Sequence, residues 1–211
     1  MRRHPVGRFS DAALDVIVRM SRTRANYWLE SALDAALGAG LLAEGLRHHV
    51  AVGTAVVLVL LGLFVFSFME YVFHRWVFHG PPQPMARGHA AHHRDPRGYE
   101  ALPFFVPAMV LFSVTGICAM WMGTANAWVL ASGVAFGYVA YGIGHFMIHH
   151  RRFRYPLVRR WAARHHIHHH HPDRNFGVTS SLWDRVLGTR YVRIRSTSSA
   201  SARSAADTST R

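Results

Sequence analysis

The chain has no lysine, so its positive charge rests on twenty-four arginines. It has a single cysteine, Cys118, placed within an apolar stretch. One cysteine forms no intramolecular disulfide and builds no Cys-x2-Cys metal site, and Cys118 reads as a small buried hydrophobe. Carboxylates are scarce, with eleven in 211 residues and none between Ala101 and Pro172. That gap excludes a carboxylate-bridged metal bundle with Glu-x2-His motifs from those positions. Neither a Gly-rich nucleotide fingerprint nor a haem-binding region appears, so electrons for any redox chemistry come from a separate partner.

Half of the residues are apolar and only 17% are charged, a balance that leans toward membrane proteins. The formal net charge is +13. The arginines flank apolar segments, and no basic groove motif with interleaved aromatics accompanies them, so orientation in a bilayer explains them and nucleic acid does not.

Three segments read as spans: Ala51 to about Phe73, Ala101 to about Met122, and Ala125 to about Ile148. The first, as a helix, measures about 35 Å, enough to cross the hydrocarbon core. The last two form a tight antiparallel hairpin over Gly123-Thr124. Four arginines lie between His74 and Glu100, eleven between His150 and Arg195, and none at the hairpin tip. Positive-inside logic therefore puts both histidine-rich stretches in the cytoplasm. In a bacterial cell the membrane is then the inner one. The first 48 residues form a basic N-terminal region. Its stretch 27–46 is apolar but carries Glu30, Asp34 and Glu44, and reads as a weak fourth span, a re-entrant helix or an interfacial amphipathic helix. Residues 49–195 form the membrane domain, and 196–211 read as a disordered tail.

Histidine is what the chain has in excess. Fourteen of its seventeen histidines fall in four clusters at the ends of the apolar segments. They are His74-x4-His79, His89-x2-His92-His93, His145-x3-His149-His150, and the run from His165 to His171 that only Ile167 interrupts. Histidine is the commonest protein metal ligand, and residues three or four apart share a helix face. His74 and His79 need a helix end that bends, which Gly80-Pro81-Pro82 supplies. About ten imidazoles exceed the octahedral limit of one ion and fit two. Imidazole suits iron, zinc, copper and nickel alike, so the ligand type does not choose among them. His4, His48 and His49 lack a metal-type pattern and read as interfacial side chains.

The order HRWVFH, GHAAHH, GHFMIHH, HHIHHHH, followed by NFGVTSSLWDRVLGT, resembles the fatty acid hydroxylase superfamily, which also contains sterol desaturases. The resemblance runs from about Glu70 to Tyr191, and the last segment is most similar to the fatty acid 2-hydroxylase branch. It implies an all-α integral membrane protein with three transmembrane helices, or four, and a cytoplasmic histidine-rich helical cap holding a dinuclear metal site. It implies two iron ions, with zinc an alternative occupant, and a membrane-bound O2-dependent monooxygenase acting on a lipid acyl chain. A cytochrome b5-like or ferredoxin-like donor would supply the electrons. The implied ligands are His74, His79, His89, His92, His93, His145, His149, His165, His168 and His169. In the last cluster His166, His169 and His170 share the same spacing, and the distance to Asn175 favours the first register. His150, Glu70 and Asp184 are candidates for holding a ligating imidazole from behind. A sterol or carotenoid hydroxylase or desaturase is the neighbouring alternative. A membrane metal-binding or transport protein is the non-enzymatic one. Trp76, Trp161 and Trp183 read as head-group anchors, Gly177 as a turn with positive φ, and Tyr138 and Tyr141 as packing or cavity-lining aromatics.

Overall fold

The computed structural model describes Val16 and residues 19–193; His4 and the tail from 196 lie outside the described residues. Among the described residues the chain is all helical. Helix α1 (Arg24–Arg47) is followed by α2 (Val52–Val72), which continues without a break into a π-helical segment, Phe73–Phe78. Then come α3 (Pro84–Arg94), α4 (Val106–Met122), α5 (Thr124–His150), α6 (Pro156–His170) and the short α7 (Leu182–Val186).

Two helices are long and apolar enough to cross a membrane: Val52–Phe78 and α5, each of 27 residues. At 1.5 Å per residue each measures about 40 Å. The segment expected to span from Ala101 is different. Its helix begins only at Val106 and has 17 residues, about 26 Å. Pro103 lacks an amide to donate, and side chains of α1 hold the backbone of residues 102 and 104 in a non-helical path. Gly123, at φ 81°, ends α4 and starts α5, so the hairpin turns where the sequence indicates.

Helix α5 is the hub, packed against α1, α2 and α4. Its contact with α2 is a meeting of backbones. A Cβ on Gly62 would stand 2.3 Å from the Leu130 carbonyl oxygen, and one on Gly133 2.3 Å from that of Val59. Small residues permit this approach, which is how helices associate where lipid offers no hydrophobic drive. The outward faces of α2 and α4 stay apolar and exposed, through Val56, Leu60 and Phe64 on one and Met109, Phe112 and Trp121 on the other. Cys118 is only partly buried there.

Helix α1 stands antiparallel beside α5 along most of its length. Near one end the Tyr27 hydroxyl donates to the Gly142 carbonyl at 2.9 Å, and near the other Gly45 meets Val129 and Ala125. Glu30 and Asp34, which weakened this segment as a span, are 4% and 2% exposed and face the protein. Two tryptophans expected as anchors are engaged internally: Trp161 donates to the Val178 carbonyl and Trp183 to the Ser67 hydroxyl, while Trp76 is exposed.

Candidate metal centre

The first pair of histidines is five residues apart, a spacing that an α-helix puts about 140° apart around its axis. The π-helical turn resolves this. The His79 amide bonds to the His74 carbonyl, an i to i+5 step, and the two rings come to lie 5.3 Å apart. The expected bend at Gly80 is thus a widening of the helix one turn earlier, the local form often found at functional sites.

The other clusters use ordinary helical spacing in a crossed pattern. Helix α3 starts at Pro84 with the Gln83 side chain capping the Met85 amide, and brings His89 and His93 onto one face with His92 beside them. Helix α6, opened by Pro156, does the same with His165 and His169, and with His168 beside them. The last turns of α5 bring His145 and His149 together.

The ten side chains converge as two groups of five. His74, His79, His89, His93 and His168 form the first; His92, His145, His149, His165 and His169 form the second. In each group the nearest ring nitrogens lie within 4.8 Å of one another. In the first, His89 Nε2 stands 3.1 Å from the Nε2 atoms of His74, His79 and His93. In the second, His165 Nε2 stands 3.0 Å from those of His145, His149 and His169. Two nitrogens each about 2.1 Å from one ion, at right angles, are about 3.0 Å apart. Converging lone pairs repel unless a cation lies among them, so this donor set fits a metal ion in each group.

The protonation states agree with that fit. Burial, with the neighbouring imidazoles second, holds His79 down to about 4 and His92 to about 3. His168 is likewise brought to about 3 by burial, against a hydrogen bond that raises it. All three are neutral near pH 7 and offer a lone pair. Two tautomers are fixed from behind. His74 Nδ1 donates to the Phe176 carbonyl, and His168 Nδ1 to the Arg174 carbonyl at 2.7 Å, which leaves both Nε2 atoms bare.

The adjoining backbone, Phe176 to Thr179, is held by the two carboxylates that the sequence offered as candidates for holding an imidazole. Asp184, 1% exposed, accepts from the amides of Phe176 and Gly177 and from the Thr189 hydroxyl. Glu70, one turn before His74, accepts instead from the Val178 amide and from the amide and hydroxyl of Thr179. Both act on the segment, one step removed from an imidazole. Gly177 does not have positive φ; that conformation occurs at Asn175 and Gly188. Gly177 is required by crowding, since a Cβ there would lie 1.9 Å from the Ser180 carbonyl oxygen. His150 stands outside both groups, its ring stacked 4.0 Å from that of Phe146. His166 and His170 point outward and are exposed, so the last cluster contributes through 165, 168 and 169.

A cavity of about 460 Å³ adjoins both groups, touching His89 of the first and His145 of the second. Its lining is mainly apolar and includes Phe78, Met85, Leu102, Val106 and Val139. Tyr138 and Tyr141 line it too, and the Tyr138 hydroxyl donates to Glu30 at 2.5 Å. Three contributors were missed from sequence. Tyr27 and Glu30 come from α1, whose charges weakened it as a membrane span. Glu100 closes the loop before α4, with Oε2 3.3 Å from His92 Nδ1. It was the last carboxylate before the long acid-free stretch, and that position was its signal. Burial pushes its carboxyl up to about 8, against the pull of Arg22, and in either protonation state it retains an acceptor oxygen.

Residues 59–189 match the family described as fatty acid hydroxylase. The dihydroceramide fatty acyl 2-hydroxylase FAH1 of Arabidopsis thaliana is 33% identical over 144 residues, covering 64% of this chain and 60% of that protein. The ceramide very long chain fatty acid hydroxylase scs7 of Schizosaccharomyces pombe is 31% identical over 156 residues, covering 64% of this chain and 42% of that protein. Among solved structures, full-length scs7p with only its hydroxylase domain visible superposes with a TM-score of 0.72 at 25% identity, over 82% of this chain and 69% of that one. The match thus spans about 60% or less of these two relatives' length.

Proposed function

We propose that this chain, which belongs to the fatty acid hydroxylase family, is a membrane-embedded oxygenase that hydroxylates a lipid acyl chain next to its carbonyl carbon. The observation that carries the proposal is the apolar cavity that borders one histidine of each group. The ten histidines hold two metal ions, iron in the active protein, with zinc able to occupy the same cages. When bound, iron supplies the binding and activation of O2 and takes electrons from a donor.

The chain's own residues do the rest. The helices carry the imidazoles at the ends of α2 and α5, so the reacting carbon is met at the membrane interface. That depth suits the carbon beside an acyl carbonyl and not the far end of the chain, and the name of the Arabidopsis relative carries the same 2-position. Phe78, Met85, Leu102, Val106 and Val139 exclude water along the acyl path, and the walls fix one C–H bond within reach of the site. In this reading α2, α4 and α5 cross the bilayer, and α1 crosses beside them with Glu30 and Asp34 turned inward. Four crossings put Arg19, Arg22 and Arg24 and both histidine-rich stretches on the same cytoplasmic side. The arginines after His150 offer a dock for an acidic, cytochrome b5-like or ferredoxin-like electron carrier.

The test is expression in a host with a compatible electron carrier, followed by profiling of total lipids. Acyl chains heavier by one oxygen at carbon 2 are expected, and their loss in His92→Ala. An unchanged profile alongside demonstrated electron transfer sinks the proposal. Purified protein should hold two ions per chain, and a single ion contradicts the two-cage reading.

A further inference from the structure

We infer that Glu100 is the positioning residue for His92, and that α1, outside the stretch matched to the family, holds Glu100 in place. The inference rests on the reading of the histidine groups as metal sites. His92 is 4% exposed, and neither ring nitrogen has a formed hydrogen bond. For Nε2 to face the second group with a lone pair, Nδ1 must carry the proton, and a buried N–H needs an acceptor. In the first group backbone carbonyls serve this purpose for His74 and His168. His92 faces Glu100 Oε2 at 3.3 Å, close enough but outside the alignment of a formed bond. Such bonds tighten when the site fills, because a metal-bound imidazole is a stronger donor.

Glu100 lies in a loop, yet the loop is not free to wander. The Asn26 side chain donates to the Leu102 carbonyl at 2.8 Å and accepts from the Phe104 amide at 3.1 Å. Glu30 accepts from the Leu102 amide, also at 3.1 Å. Three bonds from two successive turns of α1 therefore fix the backbone two and four residues beyond Glu100. The same loop walls the cavity through Glu100, Ala101 and Leu102, so one element places both the imidazole and the cavity wall.

The experiment titrates the purified protein with cobalt(II) and follows the visible ligand-field bands, with wild type, Glu100→Ala, Glu100→Gln and Asn26→Ala compared. Glu100→Ala should weaken one of the two ions by about 10- to 100-fold and leave the other unchanged. Glu100→Gln keeps an acceptor oxygen and should retain most of the affinity, with altered bands for that ion. Asn26→Ala should weaken the same ion by a smaller factor. Two unchanged affinities in Glu100→Ala overturn the inference, as does equal weakening of both ions, which marks a general loss of structure. A wild type that takes up no cobalt sinks the underlying metal-site reading instead, so the two failures are distinct.

Discussion

The two histidine groups are built from the same parts with the roles exchanged. Helix α3 gives its i, i+4 pair to the first group and its third histidine to the second, and α6 does the reverse. Each group is completed by a pair at the end of a long helix, on a π-turn in the first and on regular α-helix in the second. The difference lies behind the rings. The first group leans on backbone carbonyls of residues 174 and 176, in a segment that buried Asp184 and Glu70 brace at residues 176–179. The second leans on the loop before α4 and is bordered by a small cavity lined by His92, His145 and His149. Equal donor sets therefore rest on unequal supports, backbone carbonyls in one and a side-chain carboxylate in the other.

The strongest way to break this comparison is to remove the central imidazole of each group. His89→Ala and His165→Ala should each reduce bound metal from two ions to one and lower hydroxylated product by at least about 100-fold, read by elemental analysis and lipid profiling. If either variant keeps two ions, the groups are not separate cages.

Next in size is Asp184→Ala. It strips the partner from two buried amides and a hydroxyl, a loss of about 3 kcal/mol or more. Thermal unfolding should shift down accordingly, and the residual folded protein should lose metal from the first group ahead of the second. Equal loss from both would remove the distinction between their supports.

A smaller effect is expected from pH on the metal-free protein. His79, His92 and His168 bind protons less readily folded than at their ordinary value of 6.5. The unfolded chain then takes up more protons as pH falls below about 6.5, and stability declines from there through about 4 for His79 and about 3 for the other two. Melting in detergent should drop steadily between pH 7 and pH 4. A melting point that rises with acid contradicts neutral, buried imidazoles.

The smallest effect belongs to His166→Ala and His170→Ala. Both side chains are exposed, so metal content should be unchanged and stability should move by no more than about 0.5 kcal/mol. Loss of an ion in either would shift the register of the last cluster.

Much of this was legible in the sequence because periodicity and charge are local signals. Apolar length located α2 and α5, arginine placement put the four clusters at one end, and i, i+4 spacing paired the histidines of α3, α5 and α6. What escaped depends on tertiary partners. Nothing local distinguishes a bend at Gly80 from a π-turn at Phe73–Phe78, because both bring His79 back beside His74. The carboxylates Glu70 and Asp184 were noticed, but their partners are amides some 108 and 8 residues away, so their segment-bracing role is a product of folding. Glu30 and Asp34 looked like reasons against a membrane span, since hydropathy sums charge without knowing which face it occupies. Gly177 was read through backbone freedom when crowding against Ser180 was the cause.

The π-turn has a consequence for how this chain can vary. It amounts to one residue more than an α-helix would hold between His74 and His79. Deleting Trp76, whose ring is exposed, would let that stretch relax to regular helix and bring the two histidines to i, i+4 spacing. The edited pair would still share a face, and the chain after it would leave in nearly the same direction, because one wide turn of five residues and one regular turn of four rotate and rise by nearly equal amounts. Gly80 and the start of α3 would then stay beside the rest of the centre. The surplus residue is thus absorbed within a single turn, and this stretch can lose it without the frame of the site being rebuilt.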